Sequence, residues 1–97
     1  MRVSTHPGEV LREEFMVPLG LSANALSREL HVPPNRITGL IAEREPRAVT
    51  PDTALRLARY FGTSPEFWLN LQSSYDLSIA MTETGAEIAE RVRPRAA

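Results

Sequence analysis

The chain has no cysteine among its 97 residues. That excludes disulfides and every thiolate-bound metal centre, and it fits a reducing compartment, so the expected location is cytoplasmic. Lysine is missing too: all 11 basic residues are arginine. The planar arginine fork suits phosphate and guanine better than an ammonium does, although a biased genome composition produces the same preference. No run approaches the roughly 20 apolar residues that a membrane span requires. The start, MRVSTHPGE, lacks the apolar stretch of a secretory leader. No segment alternates β-branched and polar residues as a strand would, and no repeat or low-complexity stretch is present. Excess positive charge is also lacking, the net charge being −1, whereas affinity for nucleic acid comes from clustered cations. The charge is uneven, however. Glu9, Glu13 and Glu14 crowd the start, while Arg28, Arg36, Arg44 and Arg47 fall in or just after the segment discussed next.

What is present is a series of helix starts and stops in a chain long enough for one domain. Ser22 to Ala42, SANALSRELHVPPNRITGLIA, predicts two short helices joined by a tight turn. Leu26 and Leu30 lie on one face after the N-cap Ser22. His31-Val32 and Pro33-Pro34 forbid the first helix from running on. Ile37, Leu40 and Ile41 then restart an apolar stripe at i, i+3, i+4. Before this unit, His6-Pro7-Gly8-Glu9 predicts a helix start. Its apolar face carries Leu11 and Phe15, and Pro18 is expected to stop it near Val17, with Gly20 in a left-handed turn. After it, Thr50-Pro51-Asp52 and Ser64-Pro65-Glu66 are two further starts. The first leads into a face of Ala54, Leu55, Leu57, Ala58 and Phe61 ended by Gly62. The second leads into Phe67, Trp68, Leu69 and Leu71 and continues through Tyr75, Leu77, Ile79 and Met81 until Gly85 breaks it. The expected fold is all-α with five helices: a domain over 1–84 that includes an extended C-terminal helix, and a short mobile tail over 85–97.

The second helix of the turn unit is a rod of the size that enters a DNA major groove. Asn35, Thr38, Gly39 and Ala42 lie opposite its apolar stripe and, with Arg36, form the candidate base-reading set. Asn35 near the helix start is placed for an adenine edge, or is an ordinary first-turn polar residue. Arg36 reaches guanine, holds a phosphate, or is solvated. Gly39 lets the backbone approach the groove closely, or reflects surface drift. Ser22, Asn24, Arg44 and Arg47 are candidate phosphate contacts. Phe61, Phe67, Trp68 and Leu71 are expected in the core. Tyr75, Leu77, Ile79 and Met81 give two adjacent apolar rows and a candidate dimer interface. Nothing supports an enzyme: His6 and His31 lack metal-ligand spacing, and no Gly-rich phosphate loop is present. No cofactor or metal is expected.

HPGEVLREEF at 6–15, LSANALSRELHVPPNRITGLI at 21–41 and TPDTALRLARYFGTSPEFWLNLQ at 50–72 together resemble the HigA-type antitoxins. These are helix-turn-helix proteins of the Cro/C1 repressor superfamily, encoded in bacterial toxin–antitoxin modules. The resemblance implies a homodimeric, sequence-specific DNA-binding repressor that autoregulates its operon and neutralises a cognate ribosome-dependent mRNA-cleaving toxin. The implied partners are a near-palindromic DNA operator, a second copy of the chain and the toxin protein. The alternative is a stand-alone helix-turn-helix regulator, or a protein-interaction module that has lost DNA reading. The chain departs from the family pattern at His31, where glycine is usual and a left-handed backbone is required. It departs also at Ser27, where alanine is usual, and in the loop Glu43 to Val49, which is longer and carries Glu43 and Glu45.

Overall fold

The computed structural model describes residues 3–96. Five helices follow one another: α1 over residues 7–19, α2 Ala23–Leu30, α3 Pro34–Leu40, α4 Pro51–Phe61 and α5 Pro65–Arg91. The caps account for their starts. Ser22, Thr50 and Ser64 extend at the N-cap, and their hydroxyls accept from the backbone N–H of Ala25, Thr53 and Phe67. Each satisfies a donor that the first turn leaves free. Gly20, His31 and Gly62 supply the left-handed stops, with φ of 64°, 58° and 76°. His31 therefore adopts the backbone expected of it, a conformation that a β-branched residue would resist.

Three boundaries differ from the sequence expectation. α1 does not stop before Pro18 but runs to Leu19, because residues Leu11–Met16 form a π-helical turn. That wider ladder makes room for a ring that would otherwise strike the carbonyl four residues back. α3 ends at Leu40, with Ile41 as its C-cap at φ −92°, ψ 5°, so Ala42 lies outside the helix. α5 passes through Gly85 and ends at Arg91, so a single glycine costing about 1 kcal/mol does not interrupt it. The boundary expected at 84/85 is thus not a helix end.

The core is built from one stripe of each helix. Leu11, Leu26, Ile37, Leu57 and Trp68 are fully buried, with Leu30, Leu40, Val49 and Ala54 around them. Phe15 packs tilted between Phe61 and Trp68 at centroid distances of 4.8 and 5.2 Å. The Trp68 indole N–H donates to Thr63 Oγ1 at 2.8 Å, satisfying its one polar atom. Leu55 and Phe67, expected on buried faces, are 60% and 38% exposed. Gln72 ties the loop after α3 to α5: its Oε1 accepts from Val49 N, and its Nε2 donates to Asp76.

The start of α1 abuts the end of α3. Gly8 is buried there, and a Cβ on it would overlap the Leu40 carbonyl oxygen. Arg12 Nη1 donates to the Ile41 carbonyl at 3.1 Å. The positive end of one helix thus meets the negative end of the other. His6 completes the joint as the N-cap of α1. Its Nδ1 accepts from Gly8 N at 2.8 Å, and its ring meets Tyr75 edge-on at 4.7 Å. Burial lowers the His6 pKa from its ordinary 6.5, opposed in part by Asp76 and the Arg47 carbonyl.

Gly8→Ala should destabilise the fold by about 1–3 kcal/mol, because a backbone carbonyl cannot rotate away as a side chain can. An unchanged urea midpoint would show that the two helix ends are not in contact. His6 gives a pH dependence of known sign. The unfolded chain binds its proton more readily than the folded one, so stability is complete above 6.5 and declines as the pH falls below that value. His6→Asn, which keeps a capping oxygen but cannot titrate, should flatten the urea midpoint between about pH 5.5 and 7.5. An unaltered slope in the variant would remove His6 as its source.

Candidate nucleic-acid interface

α3 is held by its apolar stripe and open along the other side. Ile37 and Leu40 are buried, whereas Pro34, Asn35 and Thr38 are exposed. Asn35 and Thr38, three residues apart, share one face of the helix. Their neighbours are arranged otherwise. Arg36 is half-exposed, and its Nη1 donates to Asp52 Oδ2 at the start of α4. Gly39 lies beneath the loop: Arg47 N donates to its carbonyl at 2.9 Å, and a Cβ on Gly39 would come within 2.9 Å of Arg47 Cδ. Glycine at 39 is therefore explained by the stem of Arg47 crossing the helix at this point. Ala42 leaves the helix and borders a hollow with Ser4, His6, Arg12 and Tyr75, apart from the Asn35–Thr38 face. The five base-reading candidates thus divide into two on an open helix face, one in an ion pair, one beneath the loop and one beyond the helix.

The four candidate phosphate contacts are all exposed. Ser22 caps α2, and Asn24 is exposed in the first turn of that helix. Arg44 and Arg47 are exposed in the loop after α3, where Glu45 takes a left-handed φ of 47°. Arg36 and Arg47 border one hollow of about 290 Å³ with Pro33, Asn35 and Thr50. The acidic residues Glu43 and Glu45 share the loop, so the positive charge is local and interrupted.

Sequence reasoning missed the contacts that brace the turn. Arg56 Nε donates to Asp52 Oδ2 at 2.9 Å, and its Nη1 donates to the Leu30 carbonyl at 2.8 Å. Asp52 is held below its ordinary pKa of 3.8 by hydrogen bonds from Arg56 and from Arg36. The spacing of Asp52 and Arg56 is legible as an i, i+4 pair. The link from Asp52 to Arg36 crosses between helices and leaves no local pattern.

The four candidate dimer residues separate as well. Tyr75 and Ile79 are half-buried, Tyr75 against His6, whereas Leu77 is 62% and Met81 43% exposed. The open row continues beyond the expected boundary through Thr84, Gly85 and Ile88 to Val92. Among the described residues no helix is long and apolar enough to cross a membrane, and no three metal-ligating side chains gather.

A helix-turn-helix family profile matches residues 11–68. Virulence-associated protein I of Dichelobacter nodosus is 57% identical over 75 residues, covering 77% of this chain and 68% of that protein. A HigA-family addiction module antidote protein from Coxiella burnetii has the same fold at a TM-score of 0.88 and 46% identity, with 97% of this chain and 100% of that chain covered. The Pseudomonas aeruginosa antitoxin HigA, solved with the higBA promoter, matches at a TM-score of 0.89 and 41% identity, with 95% and 98% covered. The two solved relatives are an addiction module antidote protein and an antitoxin, members of a family of helix-turn-helix regulators and antitoxins that are not enzymes. The helical fold agrees with these structures over nearly the whole chain: the chain belongs to the Cro/C1-type helix-turn-helix family, among the HigA-type antitoxins.

Proposed function

We propose that this protein is a cytoplasmic, homodimeric DNA-binding repressor and the antitoxin of a toxin–antitoxin module. In this reading it acts on its own operator and neutralises a ribosome-dependent mRNA-cleaving toxin. The observation that carries the DNA assignment is the open face of α3, with Asn35 and Thr38 exposed while Ile37 and Leu40 anchor the helix. The promoter complex of the Pseudomonas HigA supports it at the level of the family. Asn35 and Thr38 read base edges, and Ser22, Asn24, Arg44 and Arg47 hold phosphates. Gly39 and Ala42 serve the local packing described above.

The dimer forms through the exposed side of α5. Its row is self-complementary when a second copy runs antiparallel about the midpoint between Thr84 and Gly85. Leu77 then meets Val92, Met81 meets Ile88 and Ala80 meets Ala89, so large residues oppose large and small oppose small. Asp76 comes level with the arginines at the other end, Arg91 and Arg93. Gly85 has no steric reason within one copy, since an added Cβ would meet only Met81 Cβ at 3.7 Å. A close crossing of two helices supplies a reason. Tyr75 supports the helix from the domain side, its ring against His6. Two such subunits present their α3 helices to half-sites about one helical turn, roughly 34 Å, apart.

Selection from a random duplex pool followed by fluorescence anisotropy tests the DNA assignment. Arg44 and Arg47 of two subunits give about 4 phosphate contacts and a log–log salt slope near −3.6. Asn35→Ala should cost about 1–3 kcal/mol of discrimination at one base position, while Arg44→Ala weakens all duplexes alike. Recovery of no motif by the wild type would favour the interaction-module alternative instead. For the dimer, a Leu77→Glu, Met81→Glu variant should run at half the wild-type mass in light scattering, and Ile88→Glu should do the same. An unchanged mass would refute this interface.

A further inference from the structure

We infer that Asp52 is the positioning residue for base recognition: it fixes the Arg36 guanidinium beside the open face of α3 so that the Nε and Nη2 donors form a rigid fork for a guanine. The inference rests on the proposal that α3 reads DNA, and it adds a second specificity element to Asn35 and Thr38. Its basis is a chain of contacts around the turn. Arg36 Nη1 donates to Asp52 Oδ2, the same oxygen accepts from Arg56 Nε at 2.9 Å, and Arg56 Nη1 donates onward to the Leu30 carbonyl at 2.8 Å. The carboxylate is therefore anchored to the end of α2 before it holds anything on α3. Asp52 takes only Nη1 of Arg36. The opposite edge of the guanidinium keeps two parallel donors, the number that guanine O6 and N7 accept.

Stability alone is a weak reason for this cluster. The side chains of Asp52, Arg36 and Arg56 are 55%, 40% and 38% exposed, and exposed pairs contribute little to folding. A carboxylate at the rim of a phosphate-binding surface also opposes the polyanion it faces. What Asp52 supplies is restraint. A free Arg36 would reach any nearby phosphate and so bind all sequences. A tethered one is pre-organised for a single direction and loses less freedom on binding. Covering the cluster with a duplex excludes water and strengthens the tether at the moment of recognition.

The test compares wild type, Asp52→Asn and Arg36→Ala by random-duplex selection. It then measures the anisotropy of the wild-type-selected duplex and of a scrambled duplex of the same length between 50 and 300 mM NaCl, salts chosen because phosphate contacts respond strongly there (about tenfold or more over this range). Asp52→Asn should bind the scrambled duplex several-fold more tightly, with a slope steeper by about one per subunit. Its preference for the selected over the scrambled duplex should fall roughly tenfold, at the same base position that Arg36→Ala relaxes. The double variant should lose no more discrimination than Arg36→Ala alone. If Asp52→Asn tightens all binding yet keeps the wild-type base profile, or relaxes a different position, Asp52 is a repelling charge and the inference is overturned. A wild type that enriches no motif would instead overturn the DNA-reading proposal beneath it. Thermal melts of all variants exclude unfolding as the cause.

Discussion

The contact between Gly8 and the Leu40 carbonyl sets the pose of everything that faces outward. α3 has only seven residues, too few to be stable by its own hydrogen bonds. It is ordered because Ile37 and Leu40 enter the core and because α1 closes its C-terminal end. Glycine at 8 permits the approach, Arg12 satisfies the Ile41 carbonyl, and His6 caps the helix that carries both. The HPGE start and α3, 25 residues apart at their nearest ends, are therefore one structural unit. A side chain at position 8 would tilt α3, and with it the face that bears Asn35 and Thr38.

Charge in this protein is arranged locally. A net charge of −1 gives no long-range attraction to a polyanion, so the proposed binding would depend on a few arginines. Three of the arginines near α3 have a geometric restraint. Arg47 has its backbone N–H on the Gly39 carbonyl and its stem across Gly39. Arg36 is paired with Asp52, and Arg56 connects that pair to the end of α2. Arginine suits each role because a planar group can take a carboxylate on one edge and leave another edge free, which an ammonium cannot do.

The parts of the fold that local chemistry determines were legible in the sequence. Ser22, Thr50 and Ser64 as caps, Gly20 and Gly62 as stops and the left-handed His31 all follow from side-chain reach or backbone freedom within a few residues. The parts that depend on a partner from elsewhere in the chain were not. The π-helical turn that carries α1 past Pro18 has no local sequence mark, and Gly85 reads as a break until the surrounding helix is seen to span 27 residues. The sequence leaves Gly39 open between a close groove approach and surface drift, and cannot show that the stem of Arg47 crosses it. Of the candidate site, the shared exposed face of Asn35 and Thr38 is legible, because helical periodicity alone places both opposite Ile37 and Leu40. The bracing role of Asp52 required the third dimension.

In the proposed function the open side of α3, with the cap of α2 and the loop after α3, is the surface that meets DNA. Amide chemical shifts recorded while adding a duplex long enough for two half-sites test it most directly. The largest changes should fall at Ser22 to Ala25, Asn35 to Gly39 and Arg44 to Ala48, with little change from Gly85 onward. Changes confined to α5, or to the outer face of α4 around Leu55 and Tyr60, would contradict it.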